Sequence, residues 1–247
     1  DGPGPHRITQ NPYDPEKKVW VIDETGHIIY VFSNDGEDLI MTLGEKNVEG
    51  NDETHYSLPQ DIVFLPDGKF LVGDGLGKNH RIVVRNADGS YHSEFGEAGT
   101  EPHQFTSVHS MAFGPNEMLY ALDRDNKDVK VYKQTAARDA SDYPSFEYQT
   151  TWGGLGLPLD VYVSEESAWV TDLQPPKVVQ FNFDGSREYT WPLPTEGADF
   201  WIEMHSMSID EDGNLYGTDN QAGRPQKLVP RSGADPKHIV KKQYVPQ

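Results

Sequence analysis

The chain has 247 residues, with 40 acidic side chains against 21 basic ones, a net charge of −19 and no cysteine. A surface that negative repels phosphate backbones and anionic lipid heads, which argues against nucleic acid and membrane partners, and no apolar run approaches the ~18 residues of a membrane span. The lack of cysteine removes disulfides, thiolate metal sites and a cysteine nucleophile, while aromatics at 11% of residues point to a core of Tyr, Phe, Trp and Val, as helix-poor folds build.

Taken in chain order, the predicted elements repeat. The start at Asp1, without a signal-like segment, reads as processed or trimmed. Apolar and β-branched residues at 19–23 and 28–32 form two short strands, and an Asn34-Asp35-Gly36 turn feeds another that ends at Leu43-Gly44. The series returns at 70–74 and 81–85, with the turn Ala87-Asp88-Gly89 and an ending at Phe95-Gly96. It returns at 119–123 and 129–133, ending at Trp152-Gly153, then at 168–172 and 178–182 with the turn Phe183-Asp184-Gly185, and last at 215–219 and 226–229. Each of these second strands closes on an aspartate: Asp23, Asp74, Asp123, Asp172 and Asp219, spaced 51, 49, 49 and 47 residues apart.

A further strand precedes each series, so the unit is four strands in about 50 residues, the pattern of a β-propeller blade. Blades are expected at about 4–45, 57–96, 106–153, 156–193 and 202–245, within one domain over 1–247. Residues 136–142 come nearest to a helix and read as an inserted loop. A β-sandwich is the competing all-β architecture, but it gives no reason for four-strand units of even length.

Aligned on the closing aspartates, the blades share a position at the start of the innermost strand, 13 to 17 residues earlier, filled by His6, Gln60, His109, Leu159 and His205. Counting the freedom to choose the register, accident would place three histidines there in about two cases in a hundred. The histidines alternate, on the first, third and fifth blades. In a six-bladed ring alternate blades stand about 120° apart, so three imidazoles would meet at the axis. Three histidines with an open fourth position make a catalytic zinc site. In a five-bladed ring the first and fifth blades are neighbours and the symmetry fails, so the pattern argues for a sixth, N-terminal blade outside this sequence. The plainer alternative is that each histidine simply hydrogen-bonds a neighbouring blade's carbonyl.

Several segments carry a resemblance: Gly4-Pro5-His6-Arg7, Thr42-Leu43-Gly44-Glu45-Lys46, Gly50-Asn51-Asp52-Glu53-Thr54-His55, Leu65-Pro66-Asp67-Gly68, Ala121-Leu122-Asp123-Arg124 and the tail Gly233-Ala234-Asp235-Pro236. From about residue 4 to Val240 the chain resembles the NHL-repeat propellers of the peptidyl-α-hydroxyglycine α-amidating lyase family. The resemblance implies a six-bladed ring with an axial zinc on His6, His109 and His205. It also implies cleavage of the N–C bond of a peptidyl-α-hydroxyglycine to a peptide amide and glyoxylate, and Arg124 as a substrate-carboxylate ligand. A guanidinium has the planar fork for that; a surface salt bridge with Asp123 or Asp125 is the alternative.

The chain departs from the family at several places. The family's base is a Tyr after an Asp-Gly pair, where this chain has Leu76 after Asp74-Gly75, with His80 or Lys78 as substitutes only by rearrangement. A second active-site arginine belongs to a blade before residue 1. The Asp that helps hold a structural calcium is Ser206, and Glu203 replaces a Met, offering a carboxylate to the site.

Elsewhere the carboxylates sit mostly in turns, and the strand-closing aspartates read as partners of backbone amides. His55, His80, His92 and His103 read as loop residues without ligand spacing, and Trp152, Trp191 and Trp201 as core. The expectation is therefore a zinc-dependent, lyase-like enzyme with altered chemistry or substrate. Arg124 and Glu203 are its catalytic candidates, with Arg124, Leu76 and Gln60 against a small-molecule or peptide substrate. Zinc is the cofactor, calcium a structural ion, and the location secreted or periplasmic. The competing classes are a non-catalytic propeller presenting a surface to a protein partner, and a calcium-dependent lactonase-like propeller, which would need Glu, Asn and Asp where the axial register has His, Gln and Leu.

Overall fold

A computed structural model describes residues 4–135 and 146–245. The loop expected at 136–142 lies outside them. The first sheet is β1 (Pro5–Gln10), β2 (Val19–Asp23), β3 (Ile28–Phe32) and β4 (Leu39–Leu43). The second is β5 (Asp61–Phe64), β6 (Phe70–Asp74), β7 (Arg81–Arg85) and β8 (Tyr91–Phe95), after which β9 (Glu97–Ala98) and β10 (Gln104–Phe105) form a short parallel pair. The third is β11 (Val108–Gly114), β12 (Met118–Asp123), β13 (Asp128–Gln134) and β14 (Phe146–Trp152), and the fourth β15 (Pro158–Val163), β16 (Ala168–Asp172), β17 (Lys177–Phe181) and β18 (Arg187–Pro192). The fifth is β19 (Ser206–Ile209), β20 (Leu215–Asp219) and β21 (Arg224–Leu228).

Within each sheet the strands pair in chain order. Consecutive antiparallel meanders of this kind, with no α-helix among the described residues, are the blades of an all-β propeller, five in this chain. The fifth sheet has three strands among the described residues. Beyond Leu228 the chain meets Pro230 and Pro236, which cannot donate to a ladder, and forms a 3-10 turn over Pro236–His238. The tail then returns to the fourth sheet, where the Tyr244 amide donates to the Val163 carbonyl at 2.7 Å. His92, expected in a loop, lies in β8, because 91–95 alternates well enough to pair with β7.

The hairpin turns work as the Asp-Gly pairs predict. Gly89 and Gly185 both sit at φ 86°, in the left-handed region that glycine adopts without strain. Asp88 and Asp184 accept from the amides of Ser90 and Ser186 at 3.0 and 2.8 Å.

The five closing aspartates are buried and hydrogen-bonded. Asp23 accepts from the amides of Gly4 and Gly26, Asp172 from those of Gly156 and Leu157, and Asp219 from those of Ile202 and Ala222. Asp74, Asp123 and Asp172 take on a cation as well, with Lys177 Nζ 2.8 Å from Asp172. Arg81 Nε lies 3.0 Å from Asp74, and Lys130 Nζ 3.1 Å from Asp123, with all four side chains buried. Burial pushes the Asp74 carboxyl above its usual range, while Asn79, the Ser57 amide and Arg81 pull it back.

The described residues divide into two compact units after Met111. In the first, Trp20 meets Phe64 and Phe70 edge to face beside Tyr56, Ile62 and Val72. In the second, Trp152 stacks on Phe181 at 5.4 Å among Tyr120, Leu122 and Val170, and Trp201 joins Trp169, Met204 and Met207 in another cluster. Trp152 and Trp201 are thus core as expected, and Trp191 packs partly buried against the second of these clusters.

Candidate functional site

The inner-strand position singled out in the sequence has a backbone signature. In β1, Pro5 faces Asp23 and Arg7 faces Ile22, which leaves His6 as the extra residue of a β-bulge. In β15, Pro158 faces Asp172 and Asp160 faces Thr171, leaving Leu159. The Gln60 amide donates to the carbonyl of Gly73, the partner of Asp61, and the His205 amide to the carbonyl of Thr218, the partner of Ser206. A bulge turns a side chain out of the alternation of its strand. Two of the five equivalent residues, His6 and Leu159, are therefore re-aimed by the same backbone device.

In the first unit the structure brings His6 and His109 together. Their ring centroids lie 4.9 Å apart with planes at 87°. His6 Nδ1 lies 2.8 Å from the Gln60 carbonyl oxygen, an acceptor only, so the proton sits on Nδ1 and the lone pair on Nε2. Asp61 braces both histidine strands. Its carboxylate takes Arg7 Nε at 3.0 Å and the Met111 amide at 2.7 Å, next to His6 and two residues after His109. Gly75 completes the fit, since a Cβ there would fall 2.4 Å from the Val108 amide nitrogen. The turn after β6 can thus press against the strand that carries His109. Gln60 itself is buried, with its amide nitrogen directed to the carbonyls of Leu58 and Pro59.

In the second unit His205 Nδ1 lies 3.0 Å from Glu203 Oε1, and Glu203 is buried. The Asp160 carboxylate accepts from the Met207 amide at 2.9 Å, as Asp61 does from Met111. Both braces escape a reading that assigns carboxylates to turns. The signal was present, because Asp61 and Asp160 each directly follow the inner-strand position and His109 and His205 each open a His-Ser-Met tripeptide.

Two imidazoles that meet edge to face, one with its tautomer set by a carbonyl, suit a transition-metal ion. Metal-binding histidines are oriented by such a hydrogen bond to the other ring nitrogen. Ser206, at the place of the family's calcium aspartate, instead shares a 2.8 Å hydrogen bond with Thr218.

The remaining predicted residues are more ordinary. Arg124 follows β12 and forks onto its neighbour Asp125, at 2.9 and 3.3 Å, half-exposed. Leu76 is half-buried in the turn after β6. The buried phenols of Tyr120, Tyr132 and Tyr162 are pushed up by loss of water, and that of Tyr56 to about 12, so all four stay protonated at neutral pH. A 440 Å³ cavity in the second unit, walled by Trp191, Leu215, Leu228 and Val240, contains none of the predicted site residues.

Fold and site together define a β-propeller resembling the amidating-lyase family. No protein-family model matches the chain. A relative from Caenorhabditis elegans named "Probable peptidyl-alpha-hydroxyglycine alpha-amidating lyase" is 29% identical over 52% of this chain and 36% of its own length. The peptidylglycine alpha-amidating monooxygenase of Rattus norvegicus is 29% identical over 52% of this chain and 14% of its own. Peptidyl-alpha-hydroxyglycine alpha-amidating lyase 1 of Drosophila melanogaster is 24% identical over 94% of this chain and 46% of its own. The matches thus span less than half the length of these relatives.

Among solved structures, a streptogramin B lyase superposes with a TM-score of 0.59 at 15% identity, over 92% of this chain and 70% of the other. A catalytically inactive virginiamycin B lyase from Staphylococcus aureus with quinupristin gives 0.62 at 14%, over 99% and 70%. At such identities the likeness is one of fold. No helix among the described residues is long and apolar enough to cross a membrane.

Proposed function

We propose that this chain is the metal-binding body of a lyase-type propeller enzyme, in which His6, His109 and His205 hold one zinc ion, and that its substrate or chemistry differs from that of the amidating lyases. The observation that carries the reading is the His6–His109 ring pair; the bond from His6 Nδ1 to the Gln60 carbonyl is the one the plainer alternative expects, and it leaves Nε2 as the ligand atom. Bound there, zinc would supply Lewis acidity toward a substrate hydroxyl or carbonyl.

The chain's own residues set the rest. Arg124 offers a fork to a substrate carboxylate, and the exposed pair with Asp125 that must open first is worth under about 1 kcal/mol. Leu76 has no atom that takes a proton, and the buried tyrosines stay protonated, so the family's phenol base has no counterpart in these residues. The names of the relatives and of the structural neighbours favour an eliminating cleavage of a peptide-like substrate. The same reading carries export, as a secreted or periplasmic protein, which fractionation of the native cells tests.

Metal analysis of the purified protein tests the reading. Zinc near one per chain, lost in His109→Ala, is the expected result; protein of full purity without metal overturns it. Glyoxylate release from a peptidyl-α-hydroxyglycine is expected to be slight, and brisk turnover would overturn the altered chemistry. A non-catalytic platform is the second reading, favoured by Leu76 and by the Arg124–Asp125 pair.

A further inference from the structure

We infer that Glu203 is a positioning residue for His205, a carboxylate that fixes the imidazole as an Nε2 ligand and strengthens it as a donor. The inference rests on the proposed three-histidine site. Glu203 is buried beside Trp201 and Met204, where a carboxylate without a partner would be costly. The polar partner it has is His205 Nδ1, at 3.0 Å. A carboxylate on one ring nitrogen keeps the proton there and leaves the lone pair on the other, the arrangement that steadies histidines on metals.

The location argues against an incidental contact. His109 and His205 open the same tripeptide, and their strands are braced by the same amide-to-carboxylate bond, yet the residue two places upstream is Ser107 in one case and Glu203 in the other. The added charge therefore serves the imidazole and not the strand. His6 obtains its tautomer from the neutral Gln60 carbonyl. Glu203 makes His205 the anion-supported member of the set, and the charge it adds lowers the net positive charge of the occupied site. That lower charge accompanies a chain in which Leu76 stands at the family's base position.

The test compares wild type, Glu203→Met, Glu203→Gln and His205→Ala by zinc affinity in chelator competition, and reads the His205 tautomer by nitrogen-15 NMR on metal-free protein. Glu203→Met is expected to weaken zinc about 10- to 100-fold and to shift His205 toward the Nε2–H tautomer. Glu203→Gln, which keeps an acceptor and loses the charge, is expected to retain the Nδ1–H tautomer with an intermediate affinity. In the His205→Ala background, Glu203→Met is expected to change the residual affinity no further. A structural role alone would lower the melting temperature and leave tautomer and zinc affinity in place. Wild-type zinc affinity in Glu203→Met overturns the inference and leaves the metal site standing. A wild-type protein that takes up no zinc overturns the site itself, and the inference with it.

Discussion

The His-Ser-Met segments at 109–111 and 205–207 share a sequence and a support and differ in what surrounds them. In each, the methionine amide donates to an aspartate of the preceding sheet, Asp61 at 2.7 Å and Asp160 at 2.9 Å. The first segment lies in a strand buried along its whole length, while the second opens a strand with half-exposed and exposed positions. The brace is therefore a property of the fold, present wherever an even-numbered blade precedes a histidine-bearing one. The group on the imidazole is a property of the site, and it changes from one segment to the other.

Substitutions at the two braces should separate these levels. Asp61→Ala is expected to cost about 3 kcal/mol, because it removes the acceptor of the Met111 amide and the ion-pair partner of Arg7 together; the urea midpoint measures it. Zinc affinity should fall with it, since both His6 and His109 lose their bracing. Asp160→Ala strands the Met207 amide and is expected to cost about 1–2 kcal/mol by the same measurement. Equal losses would show that Arg7 contributes nothing to the first brace. Arg124→Ala, away from either brace, should change stability by less than about 0.5 kcal/mol, since its partner is an exposed neighbour. Any large effect of that variant should appear only in substrate binding.

A smaller effect belongs to acid. Asp210 accepts from Asn214, Tyr216 and the Asp212 amide, and these bonds, the Asn214 side chain foremost, hold its carboxyl down at about 2 against a usual 3.8. A carboxyl depressed in the folded state contributes stability above its unfolded value, and that contribution disappears as pH falls through the folded one. Protection of the Asn214 amide relative to its intrinsic exchange rate should therefore fall between about pH 4 and 2 in wild type, and Asp210→Asn should remove that fall.

The blades were legible because their marks recur. Five aspartates at nearly even spacing, each closing a strand, had to share one task, and all five are buried acceptors. The outer part of the fifth blade was not legible, because its prolines break pairing without breaking the spacing that announces a repeat. The bulge at His6 was not legible, since an extra residue in one strand leaves no trace in composition. Asp61 and Asp160 resemble the turn-forming carboxylates in type, and only their place after the inner-strand position distinguishes them.

The acceptor that steadies His6 is a main-chain oxygen of Gln60, a group no codon change can delete. Position 60 can drift among side chains that suit its buried surroundings while the imidazole keeps its tautomer. The carboxylate that meets His205 Nδ1, by contrast, is encoded in a single side chain. Lineages descended from this protein should therefore vary freely at one shoulder of the candidate centre and hold fast at the other.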